Sequence, residues 1–272
     1  IEIQKCKIVN EEINTILYCI QTTIHLESIN EIIIRKSKYT KDSMVIFKIN
    51  ETIDEQSIIQ NLKDKTTSII LYQNNQYKTI YGNDFILEKM DDFIFRISED
   101  SFFQINTETA ILLYKKILKY IEPQKDDNIL DLYCGTGTIG IFLSKHCKHV
   151  TGIEINKSAI KNAKENAKLN NIKNITFLCK DSSKAVLDLK DTYNKIVVDP
   201  PRAGLDRNTI HYLKNANIEK LVYVSCDPVT LARDLKVLSS IYTIEQITPV
   251  DMFPYTHHVE CVVLLSLKNS VK

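Results

Sequence analysis

The chain has 272 residues, more than an ordinary single domain holds and fewer than three need, so two domains or one large α/β unit are expected. Its 44% hydrophobic and 25% charged residues match average soluble proteins, which excludes wholesale disorder, and no apolar run reaches the roughly 18 to 20 residues of a membrane span. The formal net charge of +1 gives no electrostatic reason to expect nucleic acid, yet residues 1–100 carry 12 Lys+Arg against 16 Asp+Glu (net −4) and residues 101–272 carry 23 against 18 (net +5).

The first ninety or so residues are rich in Ile, Lys, Asn and Thr and nearly free of Gly and Pro. The spacing of Ile8, Ile13, Ile16, Leu17 and Ile20 predicts a helix over 8–23, and short strands are expected at 32–34 and 44–49 around a polar turn at 38–42. Two further strands, 68–72 and 76–81, flank Gln73-Asn74-Asn75, a hairpin signal. This is a small α+β region, 1–92, with no motif that specifies chemistry, and a scaffold or docking role is expected of it.

From about Asp92 the pattern changes. A strand at 93–97 and the run Ser101-Phe102-Phe103-Gln104-Ile105-Asn106 lead into a helix that Asn106 or Thr107 can cap, ending near Tyr120. After Pro123, strands at 129–133, 149–155, 175–179, 195–199 and 221–225 alternate with helices at 138–145, 157–169, 206–215 and 229–238, and strands 242–250 and 259–267 close the chain. The strands are continuous apolar runs, as a parallel sheet covered on both faces requires. The reading is a doubly wound α/β domain over 93–272 with a terminal strand pair.

In such a sheet ligands bind outside the carboxyl ends of the strands, and the unusual residues concentrate there. After the first strand of the alternation comes Asp131-Leu132-Tyr133-Cys134-Gly135-Thr136-Gly137-Thr138-Ile139-Gly140, whose glycines allow a tight turn and close backbone approach to a dinucleotide or to S-adenosylmethionine. Glu154 ends the next strand where a carboxylate can accept both hydroxyls of a ribose, and Asp181 is placed either to accept an adenine amino group or to cap a helix. Asp199-Pro200-Pro201-Arg202 holds an acid rigidly at a strand tip and argues against a dehydrogenase. Cys226, at the next strand tip and just before a helix, has the setting of a nucleophile, because helix N-termini favour thiolate. Glu260 enters an apolar strand either as an exposed edge residue or as a general base. Adjacent His257 and His258 would point to opposite faces of a strand and lack partners at ligand spacing, so no metal is expected. The seven cysteines (Cys6, Cys19, Cys134, Cys147, Cys179, Cys226 and Cys261) show no C-x-x-C pairing and read as free thiols of a cytoplasmic chain with no signal-peptide pattern.

The runs D-L-Y-C-G-T-G-T, D-P-P-R-A-G-L, V-Y-V-S-C-D-P-V-T-L-A-R-D-L and D-M-F-P-Y-T-H-H-V-E together resemble the RNA 5-methyluridine methyltransferases, in order and from about Ser101 to Leu267. The resemblance implies a Rossmann-like class I methyltransferase sheet, S-adenosylmethionine as cofactor, and methylation of carbon 5 of a uridine in RNA, with 23S ribosomal RNA favoured over transfer RNA. It also implies that Gln104, Tyr133, Gly135, Gly137, Thr138, Glu154, Asp181 and Asp199 line the cofactor site, that Asp199 and Arg202 face the base, that Cys226 is the nucleophile and that Glu260 is the proton acceptor. Thr138 and Asp227 stand where relatives commonly have Asn. Longer relatives carry an N-terminal RNA-binding barrel, and some hold an iron–sulfur cluster whose fourth cysteine would fall near Cys6. A lone cysteine cannot hold a cluster, so none is expected. The expectation is a monomer comprising the central and catalytic domains of a longer protein. An NAD-linked oxidoreductase and a catalytically lapsed RNA-binding module are the alternatives.

Overall fold

The computed structural model describes residues 5–189 and 193–268. The chain divides into two compact units, Ile1–Ser101 and Phe102–Lys272.

In the first unit α1 (Glu11–Thr23) begins where the Asn10 side chain accepts the Glu12 N–H, later than the apolar spacing predicts, and Ile8 is left exposed. Strands β1 (Ile29–Lys36) and β2 (Ser43–Ile49) pair antiparallel. A helix not anticipated from sequence, α2 (Glu55–Leu62), is capped by Asp54 and returns the chain so that β3 (Ser68–Gln73) runs parallel to β2. Asn74 and Asn75, both left-handed, turn β3 into the antiparallel β4 (Gln76–Gly82), as the hairpin signal predicts. Ile16 and Ile20 of α1 and Leu62 of α2 pack with Val45, Phe47, Ile69 and Leu71 of the sheet. Strands β5 (Phe85–Met90) and β6 (Phe93–Ser98) form a separate hairpin. That pairing keeps 93–98 with the first unit, so the division falls at Ser101 and not at residue 92.

The second unit opens with α3 (Thr107–Ile121), capped by Asn106, which accepts the Thr109 N–H. Then come β7 (Asn128–Leu132), α4 (Thr138–Ser144), β8 (His149–Glu154), α5 (Lys157–Leu169), β9 (Ile175–Cys179), α6 (Ser182–Asp188) and β10 (Lys195–Val198). The chain continues through α7 (Arg207–Asn215), β11 (Lys220–Ser225), α8 (Pro228–Leu238), β12 (Tyr242–Val250) and β13 (Glu260–Leu267). Only α6, a short helix capped by Asp181, has no predicted range in the sequence reading, which offers it solely through the capping alternative for Asp181. The seven strands lie in the order β12-β13-β11-β10-β7-β8-β9. The pairs from β11 to β9 are parallel, and the terminal pair inserts β13 antiparallel against β11. Leu130, Leu132, Ile196, Val198, Leu221, Tyr223, Val263 and Leu265 form the fully buried centre. The chain runs outward from β7 through β8 to β9, then resumes at β10 on the other side of β7. The topological switch point therefore lies between β7 and β10, where a doubly wound sheet opens its crevice.

Candidate active site

The turn after β7 is built from left-handed residues: Tyr133 (φ 62°), Gly135 (52°) and Gly137 (79°). Tyr133 is unusual among them because it carries a side chain, and its hydroxyl donates to Asp206 Oδ2 at 3.0 Å. At Gly137 a Cβ would come within 2.6 Å of Phe177, so a side chain is excluded by packing. At Gly135 a Cβ would meet nothing within 4 Å, so the backbone there faces open space. The Gly135 N–H donates to Glu154 Oε2 (3.3 Å) and the Asn156 N–H to Glu154 Oε1 (2.8 Å). This fixes the carboxylate beside the turn while leaving each oxygen a second lone pair. Thr138 Oγ1 donates to the buried Tyr114 hydroxyl at 3.2 Å. Asp181 caps α6 through Oδ1, accepting the Ser183 N–H at 2.8 Å, so the capping alternative is realised. Gln104 is half-buried in the segment leading to α3.

Asp131 was not singled out from sequence as a site residue. It is fully buried inside β7, and neither carboxylate oxygen meets a donor at good hydrogen-bond geometry, the backbone N–H of Gly140 being the donor beside it. Burial first, then the nearby Asp199 and Glu154, push its carboxyl up to about 8, with the Gly140 backbone N–H opposing. The available signal was an acid inside the apolar run Ile129-Leu130-Asp131-Leu132, which a purely structural strand would avoid.

On the far side of the switch point, Asp199 follows β10, Cys226 follows β11 and Glu260 opens β13. The register Ser225↔Cys261 sets Cys226 and Glu260 side by side at the end of the β11·β13 ladder. Glu260 is 7% exposed, which decides against the edge-residue alternative. Burial raises its carboxyl to about 7, opposed by Arg202. Asp199 is likewise raised to about 7, by burial and by Glu260. The Cys226 thiol is pushed up by burial, then by Glu260 and Asp199, with Arg202 opposing. This corrects the expectation of a helix-stabilised thiolate. Asp227 occupies the start of α8, accepting the Val229 and Thr230 N–H groups at 2.9 Å, so a carboxylate takes the donors that would have favoured the thiolate.

The corner after β10 is tied to α8. Thr230 Oγ1 donates to the Arg202 carbonyl (2.9 Å) and Arg233 to the Ala203 carbonyl (2.8 Å), while the fully buried Asp234 accepts the Leu205 N–H (2.8 Å) and the Tyr223 hydroxyl (2.7 Å). At Gly204, with φ 77°, a Cβ would lie 2.5 Å from both Arg233 and Asp234, so only glycine fits this approach. Sequence reasoning missed Arg233 and Asp234, although an Arg-Asp pair breaking an amphipathic helix was visible. Arg202 itself reaches His258 Nδ1 at 3.3 Å. His257 and His258 lie in a loop ahead of β13 with ring centroids 4.2 Å apart, so strand alternation does not apply to them. Among the described residues no group of three His, Cys, Asp or Glu could hold a metal ion, and no helix is long and apolar enough to cross a membrane.

These raised carboxyls make a stability prediction for the ligand-free chain. In an unfolded chain they ionise near pH 4. The folded chain therefore holds protons that the unfolded chain releases between about pH 4 and about pH 8, the window set by Asp199, Glu260 and Asp131. Their stabilising contribution is fully present below about pH 4 and is lost as pH rises, by at most about 1.4 kcal/mol per pH unit for each retained proton. Urea midpoints measured from pH 5 to 8 should fall with pH. Asp131→Asn should flatten that slope, and an unaltered slope in the variant would show that Asp131 ionises normally.

A family model described as tRNA (Uracil-5-)-methyltransferase matches residues 2–268. The chain belongs to the tRNA (uracil-5-)-methyltransferase family. An RNA methyltransferase of Staphylococcus aureus is 36% identical, with the match covering 96% of this chain and 62% of that protein. One of Oceanobacillus iheyensis is 38% identical over 97% of this chain and 64% of its own length. The chain thus spans less than two thirds of the curated relatives it matches. Among solved structures, the Pyrococcus abyssi tRNA (uracil-54, C5)-methyltransferase in complex with S-adenosyl-L-homocysteine superposes with a TM-score of 0.82 at 32% identity, covering 97% of this chain and 70% of that one. A tRNA methyltransferase of M. jannaschii, 14% identical with a TM-score of 0.57, shares the fold. The second unit is accordingly the Rossmann-like sheet of class I methyltransferases, and the resemblance read from the four sequence motifs is that of the family found here.

Proposed function

We propose that the chain transfers a methyl group from S-adenosylmethionine to carbon 5 of a uridine in RNA, through a covalent bond between Cys226 and carbon 6 of the base. The observation that carries this reading is the cluster of Cys226, Glu260 and Asp199, which sits across the switch point from the Gly135 turn. Family membership and the ligand named for the P. abyssi neighbour support the cofactor.

The residues present fit that cofactor. Gly135 leaves the backbone open, Glu154 keeps two lone pairs for adjacent ribose hydroxyls, and the buried Asp131 carboxyl is an acceptor for a cationic group. Asp181 has Oδ2 for an adenine amino group, and Gln104, Tyr133, Gly137 and Thr138 complete the proposed lining. When bound, S-adenosylmethionine supplies an electrophilic methyl to carbon 5 of the base.

Carbon 5 of uracil is a poor nucleophile, and a sulfur added at carbon 6 makes it an enolate carbon. Cys226 loses its thiol proton to Asp199 as the sulfur–carbon bond forms, and the displaced pair moves to the oxygen on carbon 4. Asp199, now protonated, faces the uracil edge as a hydrogen-bond donor, and Arg202 contacts a carbonyl oxygen or phosphate. After methylation Glu260 removes the carbon 5 proton, the carbon 5–carbon 6 double bond re-forms, and Cys226 leaves and regains its proton. A stacked uridine must first be flipped out to reach this crevice.

The test is transfer of a tritiated methyl group to 23S and transfer RNA transcripts, followed by digestion to nucleosides. Label in 5-methyluridine is expected, with 23S RNA the favoured substrate. Label in any other nucleoside, or tight NAD binding without S-adenosylmethionine binding, would overturn the proposal.

A further inference from the structure

The net +5 of residues 101–272 has a single source. Residues 157–184 hold seven lysines (157, 161, 164, 168, 173, 180 and 184) against Glu165 and Asp181, which is itself +5, so the rest of that half sums to zero. All seven lysines are exposed, and among the described residues none has an ion-pair or side-chain hydrogen-bond partner. Lys157, Lys161, Lys164 and Lys168 are spaced four, three and four apart, which puts them on one face of α5 over about 17 Å. Ile160, Asn162, Ala163, Asn166 and Ala167 make up the buried side of the helix.

The charge is also shaped. The C-terminal half of α5 and β9, the outermost strand of the sheet, bound a concavity of about 510 Å³. Lys164, Lys168 and Lys173 line it together with Asn171 and Thr176, and no acid does. Like charges at helical spacing repel one another, so an unpartnered row of this kind is relieved by a polyanion.

We propose that the α5–β9 groove holds the phosphodiester backbone of the RNA substrate, at a site separate from the methylation crevice. This rests on the reading of the chain as an RNA methyltransferase. Four strand spacings separate β9 from β11, about 19 Å, so the groove lies away from the reacting atoms at Cys226. Contacts made there act equally on the bound substrate and the transition state, and they change KM rather than kcat.

The test compares wild type, K164Q/K168Q/K173Q and K164R/K168R/K173R, with total RNA containing 5-fluorouridine as the probe. Gln and Arg are both good helix formers at the exposed positions 164 and 168 of α5, and Lys173 is exposed beyond the end of that helix, so the fold is kept. Binding measured from 50 to 200 mM salt should give a log–log slope less negative by about 2 to 3 in the Gln variant, with affinity at low salt reduced at least about tenfold. The Arg variant should match wild type. With the substrate identified in the transfer assay, the Gln variant should raise KM and leave kcat within about twofold. Equal affinity and slope in all three proteins would overturn the groove, as would loss of kcat alone. Covalent adduct is scored in the same samples. Adduct in wild type with unchanged slopes sinks the groove and leaves the methyltransferase reading standing, whereas altered slopes without any adduct do the reverse.

Discussion

Replacing Cys226 by Ala is expected to abolish methylation, with a loss of at least about 10⁴-fold in kcat, because a nucleophile that opens the reaction has no substitute in the site. Cys134, Cys147 and Cys261 are buried with thiols pushed up by that burial, and Cys261, although it follows Glu260 in β13, packs into the core with Val263 and Leu265. Removing the sulfur leaves Asp199, Arg202 and the Gly135 turn intact, so RNA and S-adenosylmethionine should bind as before. Single-turnover methylation and equilibrium binding on the same preparation separate the two effects. A Cys226→Ala protein that methylates within tenfold of wild type would remove the cysteine from the chemistry.

Glu260→Gln should act later in the reaction. Gln is close in shape and cannot accept the carbon 5 proton, so addition and methylation proceed while release fails. Turnover should fall about 10² to 10⁴-fold, and a methylated covalent complex should accumulate on unmodified RNA. Glu260 is buried with its carboxyl raised to about 7, which suits a group that takes a proton near neutral pH. Denaturing electrophoresis of the reaction reads the complex directly. Normal turnover, or a block with no covalent species, would take the base role from Glu260.

Much of the second unit was legible because its signals are local. Asn106 and Asp206 cap helices, Gly135 and Gly137 sit where φ is positive, and short apolar runs such as Ile196-Val197-Val198 and Leu221-Val222-Tyr223-Val224 sit in the parallel strands. The unanticipated elements are short ones. Helix α2 has only Ile58 and Leu62 as a buried stripe, and α6 is seven residues long, so neither builds a periodic pattern that stands above its surroundings. Strand β5 alternates buried Ile86, Glu88 and Met90, and Glu88 disguises the apolar face. That acid is buried because it accepts from Ser37 Oγ and the Lys38 N–H, partners about fifty residues away in the chain.

The site divides in the same way. Cys226, Asp199 and the glycines were readable at strand tips, whereas the role of Glu260 needed the Ser225↔Cys261 register, a pairing across 36 residues that no local pattern encodes. Asp131 and Asp234 went unassigned since their meaning lies in burial, one with no well-placed donor and one with three donors converging on it. The thiolate expectation failed for a related reason. A helix start favours an anion only where its N–H groups are free, and Asp227 already fills that place.

The central claim is a covalent Cys226–uracil bond on the path to 5-methyluridine. Its most direct measurement is the intact mass of the wild-type protein after incubation with S-adenosylmethionine and 5-fluorouridine RNA, in which fluorine replaces the proton that Glu260 would remove. The account predicts a denaturation-resistant species equal to protein plus RNA plus one methyl group, mapped by digestion to the peptide holding Cys226. Recovery of only free protein, while unsubstituted RNA is methylated under the same conditions, would contradict it.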